Sequence, residues 1–250
     1  MNSSKKSILN SNFTYLAAFV LPVIMMMALY YTRGIFPWGN ECYLRSDMYH
    51  QYAPFFSELW HKIRNGESLT YSWNIGMGTN FTSLFAYYLA SPSNWFVALF
   101  PQKYTIEIMN AFIILKIAGS SLSLTYYLTK HNNNKHVIAA IFGMFYGMSG
   151  FIAAYSWNIM WLDCVILIPL IMLGLERLVN ENRCIFYCIT LGLCIFTNYY
   201  IAIMVCLSVV IYYVVLMIAY NGIKSPMQYV KKFINFCVYS LLAGGLGGCF

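Results

Sequence analysis

Charge is what this sequence has least of. Only 9% of its 250 residues are Asp, Glu, Lys or Arg, and just 8 are acidic. So few ionisable groups leave a soluble surface of this size undercovered, and the apolar runs between them reach bilayer-spanning length. A basic patch is also missing. The net charge is +7, but the Lys and Arg residues stand singly or in pairs between apolar runs, which excludes a nucleic-acid-binding face and fits the positive-inside bias of a multi-spanning protein. There is no disulfide framework and no metal-ligand spacing among the eight cysteines. Cys164, Cys184, Cys188, Cys194, Cys206, Cys237 and Cys249 lie in or beside apolar runs, Cys184 and Cys188 reading as packing residues, and Cys42 alone has a polar context. No internal repeat is visible, which argues against a transporter built from paired halves.

What remains is apolar and aromatic. The chain is 60% hydrophobic and 18% aromatic, with a mean hydropathy of +0.60. The expected fold class is therefore an all-α polytopic membrane protein forming a single transmembrane domain over residues 1–250. Apolar runs at 14–31, 104–129, 137–154, 164–178, 184–197, 201–220 and 233–250 read as seven spans, the first preceded by Lys5 and Lys6. The segment 80–101 has nearly spanning length but is interrupted by Ser91, Pro92, Ser93 and Asn94. If it does not cross, Lys5, Lys6, Lys130, Lys135, Arg177, Arg183, Lys224, Lys231 and Lys232 all fall on the cytoplasmic side with the amino terminus. The short outer loops "YSWNIMWLD" and "TNYY" then carry no Lys or Arg. The charge rule favours that topology. The segment 80–101 is accordingly read as re-entrant, within one large outer region spanning 34–103.

That region holds "RSDMYHQYAPFFSELWHKIRNG", residues 45–66, where ionisable groups crowd together. At about 100° per residue, Tyr52, Phe55, Phe56, Leu59 and Ile63 gather on one helical face and Asp47, Gln51, Glu58, His61 and Asn65 on the other. The pattern predicts an interfacial helix over 54–65, opened by Pro54 in its first turn and closed by Gly66. On one reading, the charges, Lys62, Arg64 and Glu67 included, solvate its exposed face. On the other, Asp47 and a second acid at the same membrane face, Asp163, serve as general base and metal ligand. Asp163 also reads as a helix amino-terminal residue favoured by the dipole. Lys116, inside the second span, calls for a partner; snorkelling or pairing with Glu107 is the plain account. "YSWNIGMGTN", residues 71–80, has Gly76 and Gly78 but neither the strand nor the Lys of a phosphate loop, and reads as a tight turn.

The stretch "SDMYHQYAPFFSELWHKIRNGESLTYSWNIGMGTNFTSLFAYYLASPSNWFVALFP", followed by "WLDCVILIPLIMLGLERL", closely resembles the amino-terminal part of the bacterial YfhO-type membrane protein family. That family resembles the GT-C glycosyltransferases, and the resemblance implies an enzyme of the bacterial cytoplasmic membrane. It would move a sugar from a polyprenyl-phosphate donor to a cell-envelope glycopolymer such as lipoteichoic acid on the outer side of the bilayer. It implies Asp47 as the essential acid of the first outer loop and Asp163 as the assisting acid of the second, with Arg45, His50, His61 or Lys116 as cations for the leaving phosphate. Gln51, Trp73 and Asn74 would contact the substrate. A lone Asp47 stands where some relatives have a paired Asp-x-Asp, so a divalent ion (Mg or Mn) on Asp47 and Asp163 is left open. Family members are generally longer, so the chain reads as a fragment. Two other classes stay open: a transporter, flippase or permease, and a non-catalytic membrane partner.

Overall fold

The computed structural model describes residues 2–133, 137–219 and 225–248, with side chains from residue 12 onward. Lys135, Lys224 and Cys249, given charge and packing roles above, lie outside the described residues, as do the side chains of Lys5 and Lys6. The architecture is helical apart from one short hairpin. Helix α1 (Asn2–Thr32) leads into a long segment containing α2 (Ala53–Asn65), the strands β1 (Tyr71–Ser72) and β2 (Thr79–Asn80), and the single turn α3 (Phe81–Leu84). The bundle continues through α4 (Thr105–His131), α5 (Ile138–Gly147), α6 (Gly150–Tyr155), α7 (Leu162–Glu181), α8 (Ile185–Thr197), α9 (Tyr199–Ala219) and α10 (Pro226–Gly247).

Among the described residues, four helical stretches are long and apolar enough to cross a membrane: Asn12–Thr32, Gln102–His131, Ile138–Tyr155 and Tyr199–Ala219. They differ in surroundings. In its most apolar window Gln102–His131 is 72% buried, against 22 to 28% for the other three, because α1, α5 and α7 all pack on α4, while α8, α9 and α10 join the bundle through α7. This explains why α4 carries Asn110, Lys116, Ser120, Ser121, Ser123 and Thr125, all buried: those groups face protein, where partners exist, and not lipid. Helix α7 is as long, but it carries Asp163, Glu176, Arg177 and Glu181. Helix α8 has 13 residues, about 20 Å, which is short of the roughly 30 Å of a hydrocarbon core.

Helices α1 and α4 are antiparallel. Tyr15 meets Thr129 Oγ1 at 2.8 Å near one end, and the Tyr30 hydroxyl donates to the Asn110 carbonyl at 3.3 Å near the other. Both ends of segment 33–104 therefore lie at the same end of the bundle, called here the loop end. Within that segment, residues 80–101 form pieces no longer than eight residues: α3, a π-helical turn Phe85–Leu89 and a 3-10 helix Pro92–Leu99. The break falls at Ala90 and Ser91, just ahead of Pro92. Expected span 137–154 is likewise divided, into α5 and α6, with Met148 and Ser149 between them.

Close approach of α5 to α4 depends on Gly143 and Gly147, one turn apart. A Cβ on Gly143 would overlap Thr125 Oγ1 and the Ser121 carbonyl; one on Gly147 would come within 2.7 Å of the Ile117 carbonyl. This is the small-residue packing by which helices associate where no hydrophobic force separates protein from lipid. Gly143→Leu should lower stability by about 1–3 kcal/mol through overpacking, read as a lower melting temperature in detergent. Gly150→Leu, which meets nothing within 4 Å, should leave that temperature unchanged. Equal effects of the two would refute the packing argument.

Candidate functional site

The site begins where the chain leaves α1 and turns into α2. Ser46 sits at φ 50°, a left-handed conformation that costs an ordinary residue of order 1–3 kcal/mol. This turn separates Arg45 from Asp47 and starts the next helix, with the Met48 amide donating to the Arg45 carbonyl at 3.0 Å. The regular helix starts as expected, with Pro54 in its first turn and Gly66 closing it, but it is preceded by a further turn. A π-helical turn, Met48–Tyr52, runs without a break into α2, and the Ala53 amide donates to the Met48 carbonyl. The wider turn accommodates Pro54, whose ring would clash with the carbonyl four residues back in a regular α-helix.

Asp47 stands at the start of this helix and makes no side-chain capping bond. Its carboxylate is half-buried, and among the described residues no hydrogen bond or ion pair holds it. Its neighbours are aromatic. Burial, then the nearby Tyr88, then Asp47 push the Tyr52 hydroxyl well above the usual phenol range; burial, Tyr87 and Asp47 also raise that of Tyr88. Both therefore remain hydrogen-bond donors. Tyr52 lies 6.3 Å from Trp157, nearly parallel, and 5.4 Å from Tyr88, and Tyr87 continues the wall to Tyr199 at 5.6 Å. Asn198 donates to the Tyr87 carbonyl at 3.0 Å, bringing the turn between α8 and α9 to the same place. A cavity of about 730 Å³ opens beside this wall, between the end of α1, segment 33–46 and residues 153–157. Arg45, Ser46 and Trp157 are among its lining residues.

Asp163 is placed differently. Lys116 Nζ lies 2.6 Å from Asp163 Oδ2 and donates also to the Ile159 carbonyl at 3.2 Å, with the Lys116 side chain buried. The expected partner Glu107 is thus replaced by Asp163, because the first turn of α7 rests on the middle of α4, whereas Glu107 lies more than two turns away along α4; Glu107 Oε2 is buried without a partner among the described residues. Two neighbouring links join this pair to the Asp47 wall. The Tyr52 hydroxyl donates to Asn158 Oδ1 at 3.0 Å, and Tyr43 and Ser156 share a hydrogen bond of 2.7 Å. Asp47 and Asp163 therefore belong to the same end of the bundle, one unpaired and the other neutralised by a lysine.

The remaining expected site residues scatter. His50 and Gln51 are exposed, His50 edge-on to Tyr49 at 5.4 Å. His61 hydrogen-bonds Asn65 and lies 3.2 Å from Glu67; fourteen residues of helix, on the order of 20 Å, separate it from Asp47. Trp73 is 77% exposed on the hairpin, and Asn74 donates to Glu58 Oε2 at 3.0 Å. Glu58, on the polar side of the wheel, and Lys62, read as solvating an exposed face, do not meet open solvent; both are buried. Glu58 accepts from Ser72 at 2.6 Å, while Lys62 donates to the carbonyls of Ser68 and Tyr71 at 2.9 and 2.8 Å. They clamp the hairpin onto α2. Their four-residue spacing and the polar "YSWN" that follows were the available signals. Among the described residues no three His, Cys, Asp or Glu side chains gather as a metal site, and Asp163 already neutralises Lys116. Asp47 would hold a divalent ion only together with waters and substrate phosphate oxygens, and no step below runs through a metal.

The family profile described as "Bacterial membrane protein YfhO" matches residues 17–249. Neither the curated proteins nor the solved structures contain a match.

Breaking a buried ion pair from one side strands a charge. Lys116→Met should therefore cost about 3–5 kcal/mol of stability, and Lys116→Met combined with Asp163→Leu should recover most of it. A double-mutant cycle on detergent melting curves checks this; simple additivity of the two losses would show that the pair is not coupled.

Proposed function

Because the chain belongs to the YfhO family of bacterial membrane proteins, we propose that it carries the acceptor-activating part of a GT-C-type glycosyltransferase, using a polyprenyl-phosphate sugar donor at the outer face of the cytoplasmic membrane. The observation that carries this reading is Asp47: a half-buried acid with no partner among the described residues, near Tyr52 and Tyr88 of the aromatic wall and next in the chain to Ser46, which lines the cavity. An unpaired carboxylate is available to take a proton, and flat aromatic faces suit the C–H surfaces of a sugar.

In the proposed step, the oxygen of an acceptor hydroxyl forms a bond to the anomeric carbon as its proton passes to Asp47. The bond from that carbon to the phosphate oxygen breaks, and its electron pair leaves on the polyprenyl phosphate. The product is an inverted glycoside. A phosphate leaving group needs no proton, so one base suffices. Asp163 takes the role of a positioning residue, fixing with Lys116 the turn 156–161 that Tyr52 and Tyr43 grip. A cell-envelope glycopolymer such as lipoteichoic acid is the proposed acceptor. Seven crossings, by α1, α4, α5 with α6, α7, α8, α9 and α10, with residues 80–101 re-entrant and the amino terminus in the cytoplasm, put the loop end outside; the short α8 crosses with its flanking residues and a locally thinned bilayer.

Two measurements test this. In the full-length protein, Asp47→Asn should reduce sugar transfer from a polyprenyl-phosphate donor by about 10²–10⁴-fold with donor binding retained, since the amide keeps the shape but is no base. Asp163→Asn should leave residual activity. Undiminished transfer by Asp47→Asn would end the assignment of the base. For orientation, single cysteines are introduced into a background without the native ones. Arg45→Cys, Glu67→Cys and Lys103→Cys should react with an impermeant reagent in intact cells, and Asn133→Cys, Glu181→Cys and Gln228→Cys should not. Labelling of position 133 from outside would invert the topology and remove both acids from the outer face.

A further inference from the structure

Between Glu67 and Lys103 the chain has no Asp, Glu, Lys, Arg or His. A loop surrounded by water would carry some. Within this run the hairpin of β1 and β2 exposes Trp73 at 77% and Met77 at 98%, and its geometry holds them there. Gly76 at φ 60° and Gly78 at φ 104° shape the turn, the Gly78 amide donates to the Ile75 carbonyl at 3.1 Å, and Trp73 stands edge-on to Tyr71 at 4.9 Å. Glu58 and Lys62 clamp the base. Such a tip gains nothing from the hydrophobic effect unless another apolar phase receives it. Its level follows from its neighbours: just after β2, Phe81 is fully buried, and the Tyr87 carbonyl accepts from Asn198 in the turn joining α8 to α9. The segment therefore lies where the helices of the bundle end, at the height of a bilayer interface. On another flank of α2 the 3-10 helix Pro92–Leu99 exposes Trp95, Phe96 and Leu99. It is held by Trp60 Nε1 on the Phe100 carbonyl at 2.6 Å and by Gln102 on Ser57 at 2.7 Å; at about 100° per residue, Ser57 and Trp60 lie roughly opposite Glu58 and Lys62. Two uncharged pieces bearing exposed aromatics thus straddle α2, and Arg64 over the Trp60 ring and Lys103 over the Tyr104 ring add the basic fringe of an interfacial belt.

We propose that the hairpin tip is a membrane anchor of the loop end, with Trp73 and Met77 inserted about 5–10 Å into the boundary between headgroups and acyl chains of the adjacent leaflet. The 3-10 helix belongs to the segment already read as re-entrant; the hairpin is a separate foot on the opposite flank of α2. Its partner is a lipid surface and not a glycan, because sugar recognition needs free polar groups beside an aromatic face, and those of the hairpin are turned inward. Ser72 and Asn74 are bound to Glu58, and Asn80 accepts from the Ser83 amide. Trp73 and Asn74, which the family resemblance gives to the substrate, thus take other roles, Trp73 in the bilayer and Asn74 in the clamp. With an anchor on each flank, α2 is held level with the membrane, and Asp47, at the start of the turn that runs into α2, is held at a fixed depth. The anchor requires only that the bundle spans a membrane; it rests neither on the glycosyltransferase reading nor on which leaflet is the outer one.

The test places an environment-sensitive NBD fluorophore on Met77→Cys of the full-length protein lacking its native cysteines, in nanodiscs of phosphatidylcholine and phosphatidylglycerol. Its emission should lie to the blue of the same label on Glu67→Cys. It should lose most of its intensity when the phosphatidylcholine is brominated near the top of its acyl chains, and resist quenching by iodide in the buffer, whereas the label at position 67 should yield to iodide. Should Met77→Cys fail to fold, the label on Trp73→Cys answers with the same pattern. Quenching by iodide without any response to brominated lipid overturns the anchor. Shielding from iodide that appears only when a cell-envelope glycopolymer is added, again without a response to brominated lipid, overturns it too and assigns the hairpin to the acceptor. The readout needs no turnover, so the two readings separate: if brominated lipid quenches the label while Asp47→Asn still transfers sugar, the anchor stands and the catalytic role of Asp47 falls.

Discussion

A lysine buried in the middle of the central helix sets the terms for the loop end of this protein. Lys116 lies in a stretch of α4 enclosed by other helices, where an unpaired ammonium is too costly to persist. Its charge is met by Asp163 at the first turn of α7 and its remaining donor capacity by the Ile159 carbonyl. That requirement draws residues 156–163 onto α4. Once the turn is held there, Ser156 and Asn158 are in place for Tyr43 and Tyr52, and through those tyrosines the long segment between α1 and α4 is attached to the bundle. The geometry around Asp47 thus depends on an ion pair in which Asp47 has no part.

The acids of the loop end divide by the company they keep. Asp163 is bound to Lys116; Glu58 is occupied by Ser72 and Asn74 with Lys62 near by; Glu67 lies beside His61. Each is spent on holding the structure. Asp47, Glu41 and Glu107 make no such contacts among the described residues; Glu41 lines the cavity, as does Ser46 next to Asp47. A carboxylate held by a cation is a poor base, because the cation stabilises its charged form. Under the proposed transfer the base is drawn from the acids that packing has left alone, and Ser46, in its left-handed conformation, adjoins Asp47.

At the opposite end the same constraint is met with another set of residues. Glu176 on α7 accepts from Tyr127 on α4 at 2.8 Å, from Tyr212 on α9 at 2.5 Å and pairs with His131 at 2.9 Å. One buried carboxylate thereby joins three helices, while Tyr187 and Ser240, 2.8 Å apart, join α8 to α10. Hydrophobic contact distinguishes protein from lipid only weakly, so these polar links and the close glycine contacts of α5 carry much of the specificity of the bundle.

The membrane class, the helical runs, the interruption within 80–101 and the family resemblance were all legible in the sequence, because they depend on composition, on the length of apolar runs and on the order of local motifs. Asp47 was legible too, as an acid placed just after the first span. The wheel pattern of 45–66 was less informative. Glu58 falls on its polar face and Lys62 read as solvated, because periodicity cannot anticipate that a hairpin starting nine residues after Lys62 will fold back and bury them. Nor could spacing along α4 choose Lys116's partner: Glu107 is near in sequence, but Asp163, 47 residues away, is near in space. Local rules determined which segments are helices and which end of the chain holds the polar groups; which charges are paired and which are left free was decided only by tertiary packing, because pairing depends on distances that the chain acquires on folding.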